Sequence, residues 1–162
     1  MKWPTDEVDW IVSALQKIDF FAPDPRQMEN YYADIEMLVD SMTKDYVESG
    51  EPVIVEGQKG VSLYLIRSGR AGVWINRDGN RAKLAVLEPG SCFGEISLLT
   101  GEPCTATVTV EEPMEVYRLK PKVFQGIVKN NPRLAARLKD LVQKRLSERQ
   151  LGLDELQKRK PS

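Results

Sequence analysis

The residues best suited to chemistry lie between Phe93 and Val108, where the chain reads FGEISLLTGEPCTATV. The pattern indicates a strand end, a glycine turn at Gly94, a short apolar helical turn, a Gly/Pro break and a new strand. Such a helical turn presents unpaired backbone N–H groups and a positive dipole end, which suit a phosphate. Without further context, Gly94 also fits a plain turn residue, Glu95 a helix cap and Thr105 a strand residue.

The elements around this stretch are predicted to be mostly strands. Short β-branched and aromatic runs, bounded by glycine, proline or Asp-Gly, indicate a barrel or sandwich. Arg77-Asp78-Gly79-Asn80 predicts a hairpin turn between two of them. The predicted strands are Lys44–Val47, Val53–Val55, Leu63–Arg67, Ala71–Asn76, Ala82–Leu87, Cys104–Val110 and Met114–Leu119.

Helical patterns flank the strands. Apolar residues from Val8 to Ile18 recur at three-and-four spacing, and a second helix is predicted over Met28–Met42. After the strands, Pro121 opens a helix over Lys122–Lys129, and Pro132 opens another. We therefore predict a mainly β fold, with N-terminal helices in 1–43, a barrel or sandwich of strands in 44–119, C-terminal helices in 120–150 and a loose basic tail in 151–162.

Composition excludes several classes of function. The chain has no histidine, which removes Ser-His-Asp and Cys-His catalysis and the usual zinc protease motif. Its two cysteines lack a zinc-ligand spacing, no apolar run is long enough for a membrane span, and no leader pattern opens the chain. We expect a cytoplasmic protein that is not an enzyme and holds no metal. Residues 1–60 carry a charge balance of −8 and residues 61–162 one of +7.

The stretch from 93 to 108 resembles the phosphate-binding cassette of the cyclic nucleotide-binding domain family, F-G-E-[LI]-x-L-[LIM] followed by P-R-[AST]-A-[TS]-V. An upstream series matches the family in order and spacing: Gly50-Glu51, Glu56-Gly57, Gly60, Leu63-Tyr64, Ser68-Gly69 and Gly90. The resemblance implies a jelly-roll (double-stranded β-helix) fold with a short cassette helix. It further implies a regulatory module that binds cAMP or cGMP.

The same resemblance implies roles for the cassette residues. Glu95 would accept a hydrogen bond from the ribose 2′-hydroxyl, and Gly94 would let the backbone approach the sugar. Ser97 and Thr105 would offer N–H or hydroxyl donors to the cyclic phosphate. With Ile96 and Cys104, these residues form the predicted ligand-binding set.

Cys104 departs from the family, because it stands where the family has the arginine that pairs with the phosphate. A charge-assisted hydrogen bond contributes roughly 1.5 to 3 kcal/mol, so affinity would fall about ten- to more than a hundredfold. Arg81 or Lys83 could reach in as a substitute cation or face solvent instead. The thiol itself fits either a reactive cysteine near a helix N-terminus or a small buried hydrophobe.

The C-terminal helix of the family folds over the nucleotide base, which here would use Arg133, Leu134, Arg137 and Leu138. The apolar stripe of this helix fits equally well against the barrel, against a partner helix or in a short dimer seam. Only a short tail follows Arg149, so we expect no direct DNA binding. A homodimer or attachment to a larger effector protein remains open.

Two functional hypotheses follow. The first is a ligand-gated module in which a cyclic purine nucleotide, cAMP in preference to cGMP, biases the C-terminal helix between two positions. The second is a degenerate domain that ignores nucleotide and serves as a protein-interaction or dimerisation scaffold.

Overall fold

The computed structural model describes residues 3–18, 25, 31–132, 135–137, 139, 140, 143 and 147, with backbone only at residues 96 and 99. Six strands form one antiparallel sheet. Two helices precede the strands in the sequence, and a further helix follows them. The predicted mainly β fold with flanking helices is confirmed. The elements are α1 Thr5–Gln16, α2 Tyr31–Asp40, β1 Thr43–Val47, β2 Pro52–Ile54, β3 Leu63–Arg77, β4 Asn80–Leu87, β5 Cys92–Phe93, α3 Glu95–Thr100, β6 Thr107–Leu119 and α4 Pro121–Lys129.

The sheet is organised by two long strands. β3 and β6 pair along their length, and the order β1-β6-β3-β4 is completed by β2 on β6 and β5 on β3. β3 and β4 form the predicted hairpin, in which Arg77 pairs with Asn80 and Asp78 has a φ of 53°. This left-handed conformation is the one that a two-residue hairpin turn requires.

Both long strands continue through positions where the sequence predicts a break. The register between them shifts around Ser68 and Arg70, so the chain passes through an irregularity and does not end the strand. Gly69 has a φ of 88°, and a Cβ there would collide with the Pro113 carbonyl oxygen. The predicted pairs of short strands were therefore wrong as separate elements. Each pair is one bent strand, and the second of these begins at Thr107, so that Cys104, Thr105 and Ala106 precede it.

The alternation of side chains along these strands separates two apolar clusters. Leu63 and Leu65 face the helices with Tyr117, whereas Tyr64 and Ile66 face the interior of the roll. The first cluster contains the buried residues of α1 and α2 together with Phe124 of α4. The cassette residue Cys104 belongs to the second cluster.

The flanking helices follow the predicted patterns with small differences in their bounds. α1 buries Val8, Ile11, Ala14 and Leu15. α2 ends at Asp40, short of Met42, and the predicted start of this helix lies outside the described residues. α4 has Pro121 in its first turn, as predicted. No helix in the described part of the chain is long and apolar enough to cross a membrane.

A polar contact ties α1 to the sheet. The hydroxyl of buried Tyr117 donates to the Glu7 carboxylate, which also accepts from Lys44 Nζ at 3.1 Å. The Tyr117 hydrogen bond, followed by the bond and charge of Lys44, lowers the pKa of Glu7 below its usual value despite opposing desolvation. Burial and the contact with Glu7 raise the pKa of Tyr117. Glu7 therefore favours its charged form in the folded state.

The entry to α3 depends on a glycine. Gly94 has a φ of 85° and leads from β5, the strand end predicted before it, into the helix. A Cβ at this position would collide with the Ser62 carbonyl oxygen. Gly101, at the other end of α3, has a φ of 74° but open space around it. The two glycines share a backbone conformation and differ in the closeness of the neighbouring chain.

Replacing Glu7 with glutamine should lower the free energy of unfolding at pH 7 by roughly 1 to 3 kcal/mol, because the buried Tyr117 hydroxyl loses its charged acceptor. The lowered pKa means that this stabilisation is present above the unfolded pKa of Glu7 and is lost as pH falls through the folded one. Urea unfolding from pH 7 down to pH 3 should show the variant and the wild type converging. Asp9→Asn, at an exposed site in α1, is the control. Parallel pH curves for wild type and Glu7→Gln would contradict the assignment.

Gly94→Ala should destabilise the chain by roughly 2 to 5 kcal/mol, because it combines left-handed strain with overlap against the Ser62 carbonyl. Gly101→Ala, with strain and no overlap, should cost only about 1 to 2 kcal/mol. Urea unfolding of both variants measures the difference. Equal losses would show that close packing at Gly94 contributes nothing.

Candidate functional site

An open cavity of about 270 Å³ lies beside the start of α3. Strand side chains form its apolar wall, and the turn into α3 and the segment before β6 form the opposite rim. Its volume is close to the lower end of small-molecule sites, roughly 300 Å³. The lining residues are Ile54, Val73, Leu87, Cys92, Phe93, Gly94, Glu95, Ser97, Pro103, Cys104, Thr105, Ala106 and Val108.

Hydrogen bonds hold the rim in place. Ser97 Oγ donates to the Glu102 carbonyl oxygen at 2.7 Å, which links α3 to the segment that follows it. The Cys104 N–H donates to the Gln58 carbonyl at 2.9 Å, and the Gly57 N–H donates to the Cys104 carbonyl at 2.8 Å. Both sides of the rim are therefore fixed without any ligand.

The structure brings most of the predicted ligand-binding set to this one cavity. Gly94, Glu95, Ser97, Cys104 and Thr105 all line it, and Ile96 lies in α3 with its side chain outside the description. Their roles toward a ligand remain predictions. In this structure the Ser97 hydroxyl proton is used within the protein, so its backbone N–H is the better candidate donor.

Sequence reasoning missed the apolar wall of the cavity. Ile54, Val73 and Leu87 come from three different strands, which only the roll brings together. Each lies in a predicted strand, so strand alternation alone offered a signal that these side chains face the interior. It did not indicate which interior residues border an open space.

Cys104 is a buried hydrophobe in this structure. It is 8% exposed and packs in the apolar cluster that includes Phe93 and Val108. Burial raises the pKa of its thiol, and a contact with Ser97 opposes that shift only in part. Of the two interpretations from sequence, the small buried hydrophobe is supported, because a reactive thiol requires a lowered pKa.

The two candidate substitute cations lie elsewhere. The guanidinium of Arg81 is 4.2 Å from the centre of the Trp74 ring, and Lys83 forms an ion pair with Glu111. Neither cation lines the cavity. The residue that β3 contributes to the cavity wall is Val73, directly before Trp74. A Cβ at Gly72 would meet Trp74 and Lys83. Gly72 lies between Ala71 and Val73, whose side chains face the interior of the roll, so these cations lie on the far side of the sheet.

Of the four residues expected to fold over the nucleotide base, the structure describes Arg137 alone. The Arg137 guanidinium lies 4.9 Å from the centre of the Tyr31 ring in α2, and Arg137 is not among the cavity-lining residues. Arg133, Leu134 and Leu138 lie outside the described residues. At this position the chain after α4 therefore contacts the N-terminal helices.

Comparison with known proteins agrees with the geometry. The family model for the cyclic nucleotide-binding domain matches residues 44–131. A cAMP-dependent protein kinase regulatory subunit from Yarrowia lipolytica is 38% identical over 91 residues, which cover 56% of this chain and 24% of that protein. The cyclic AMP receptor protein of Thermus thermophilus is 31% identical over 123 residues, covering 75% of this chain and 56% of that protein.

The fold of this chain is also similar to that of a solved structure. The regulatory domain of Toxoplasma gondii PKA, co-crystallised with cAMP, matches with a TM-score of 0.66 and 26% identity, covering 79% of this chain and 47% of that one. The chain spans between about a quarter and just over half of the length of the curated relatives described above. The matched residues include both the roll and the cassette, and the chain belongs to the cyclic nucleotide-binding domain family.

Proposed function

We propose that this chain is a regulatory module that binds a cyclic purine ribonucleotide, cAMP in preference to cGMP, with weakened affinity. The ligand occupies the cavity beside α3 and acts on the helices that follow the roll. The module performs no catalysis and works in the cytoplasm as part of a larger effector protein. The co-crystal of a related regulatory domain with cAMP supports the choice of ligand.

One observation carries the proposal. Two segments that are separated in sequence, Gly94–Ser97 and Cys104–Thr105, border the same cavity. The Glu95 carboxylate accepts a hydrogen bond from the ribose 2′-hydroxyl. Backbone N–H groups of the first turn of α3, together with the Thr105 hydroxyl, face the phosphate. The apolar wall accommodates the base.

The affinity is weakened because the site has lost a counter-charge. An arginine at position 104 would supply a charge-assisted hydrogen bond of roughly 1.5 to 3 kcal/mol, and Cys104 supplies a buried, uncharged thiol. The backbone around position 104 is held by bonds from its own N–H and carbonyl, which do not depend on the side chain. The cavity is therefore retained while its electrostatic attraction for phosphate falls.

Ligand binding in the cavity affects the helices through side-chain packing. Leu98 of α3 belongs to the same apolar cluster as Phe124 of α4 and the buried residues of α1 and α2. Arg137, after α4, lies over Tyr31 of α2. A ligand that prefers one position of α3 would thus favour one arrangement of α4 and the helix after it.

A second candidate function is a nucleotide-independent scaffold for protein interaction or dimerisation. The composition of the cavity favours this candidate, because no lysine or arginine that could pair with a phosphate occurs among its described lining residues. This candidate predicts oligomers whose size depends on concentration in light scattering. It also predicts that no cyclic nucleotide changes the melting temperature.

Cys104→Arg should strengthen cAMP binding about ten- to more than a hundredfold, because it restores a charge-assisted bond to the phosphate. Calorimetric titration of wild type and variant with cAMP and cGMP, up to millimolar ligand, measures the effect. Gln125→Arg adds the same charge at an exposed position of α4, outside the cavity lining, and should change nothing. A folded Cys104→Arg variant that binds no nucleotide would favour the scaffold.

Glu95→Gln should weaken cAMP binding by roughly tenfold or more, because a charged acceptor of the ribose hydroxyl becomes neutral. The wild type should discriminate against 2′-deoxy-cAMP, and the variant should lose most of that discrimination. Titrations of both proteins with both ligands form a thermodynamic cycle, in which one change is made in the protein and the other in the ligand. Independent effects of the two changes would show that Glu95 does not contact the 2′-hydroxyl.

A further inference from the structure

A second open cavity, of about 400 Å³, lies between α1 and the turn that joins β4 to β5. Trp10, Ser13 and Lys17 lie three and four residues apart, so α1 presents them to this cavity on one face. β3 contributes Arg67, and the turn contributes residues 89–91. None of these residues lines the cavity beside α3, so the two cavities are separate sites.

The charged side chains of this second cavity are both cationic. Lys17 and Arg67 are the only Asp, Glu, Lys or Arg among the described residues that line it. The neighbouring acidic residues Asp9 and Glu88 are exposed and lie outside the lining. Lys17 caps the C-terminal end of α1, where the helix dipole contributes about half a negative charge. Two full positive charges outweigh that half charge, so the cavity attracts anions.

Arg67 is held in position by an aromatic ring. Its guanidinium carbon lies 4.4 Å from the centre of the Trp10 ring, which is a cation–π contact. The nearby Glu7 carboxylate accepts hydrogen bonds from Tyr117 and Lys44, which lower its pKa more than the charge of Arg67 does. The N–H groups of a guanidinium lie in its plane, so stacking on a ring leaves its edge free to donate hydrogen bonds. Arg67 is therefore oriented for an anion at that edge.

Two serine hydroxyls add hydrogen-bond donors. Ser91 Oγ accepts from the Glu88 N–H at 3.2 Å, which fixes the oxygen and leaves its own hydrogen for a ligand. Ser13 is exposed on α1, one turn before Lys17. The Trp10 side chain supplies apolar surface in the same cavity. The lining thus combines two cations, hydroxyl donors and an aromatic group.

We propose that this cavity binds a phosphomonoester of a small organic molecule, with the phosphate between Lys17 and Arg67 and the organic group against Trp10. A phosphomonoester carries a charge of about −1.5 to −2 near neutral pH, which two cations balance. The planar fork of an arginine matches two phosphate oxygens, and a lysine adds a point charge. The cavity volume lies within the range of small-molecule sites, roughly 300 to 1,000 Å³. The site does not depend on the proposed function, because it shares no lining residue with the cavity beside α3.

Titration of the whole chain with phenyl phosphate tests the proposal, by calorimetry and by NMR of the amide and indole N–H groups. We expect a dissociation constant of millimolar or lower, with shifts of the Trp10 indole and Ser91 amide signals. Phenyl sulfate, which has a similar shape and a single charge, should bind more weakly, and so should inorganic phosphate, which has no organic group. Equal binding of either control would overturn the assignment to phosphomonoesters. Absence of binding at tens of millimolar phenyl phosphate, or shifts confined to residues 94–97, would overturn the site.

Variants of the two cations locate the charge that the ligand needs. Lys17→Gln should weaken phenyl phosphate binding roughly two- to fivefold, because Lys17 is an exposed partner. Arg67→Gln should weaken it about tenfold or more, because it removes a charge-assisted hydrogen bond. Lys122→Gln removes the same charge at an exposed position of α4 outside the cavity lining, and should change nothing.

Circular dichroism checks that each variant folds. Should Arg67→Gln fail to fold, Lys17→Glu decides, because it reverses a charge at an exposed position and should weaken binding more than Lys17→Gln does. Unchanged affinity for phenyl phosphate in a folded Lys17→Glu variant would overturn the proposal.

Discussion

β3 and β6 pair from Leu63 opposite Leu119 at one end to Trp74 opposite Thr107 at the other, and the remaining elements are arranged around this ladder. The irregularity near Gly69 lets the pair bend without separating, because Gly69 approaches Pro113 more closely than any side chain would allow. At the Leu63 end of the ladder, one face packs against the helices and the other face lines the interior of the roll. The cavity lies on the interior face.

The site combines a fixed backbone with a variable charge. The amide and carbonyl groups of Cys104 are hydrogen-bonded to the loop before β3, so backbone hydrogen bonds hold the path of the chain here. The side chain at this position contributes apolar surface to the cavity and no positive charge.

The helices are coupled to the site by two kinds of contact. Leu98 connects α3 to the apolar cluster of α1, α2 and α4. Glu7, Lys44 and Tyr117 connect α1 to the sheet through a charged acceptor. The first contact is non-directional, and the second sets the orientation of α1 because hydrogen bonds require particular geometry.

Local patterns in the sequence determined the strands, the Asp78-Gly79 hairpin, the amphipathic helices and five of the residues now found around the cavity. These depend on periodicity, on turn chemistry and on the order of a motif, all of which are local. The tertiary structure alone decided that β3 and β6 continue through their glycine and proline breaks, because the two strands pair with each other on both sides of these breaks. It also decided that Ile54, Val73 and Leu87 share one wall and that Arg81 and Lys83 lie on the opposite face. Those outcomes depend on which strands are neighbours, and sequence spacing carries no information about that.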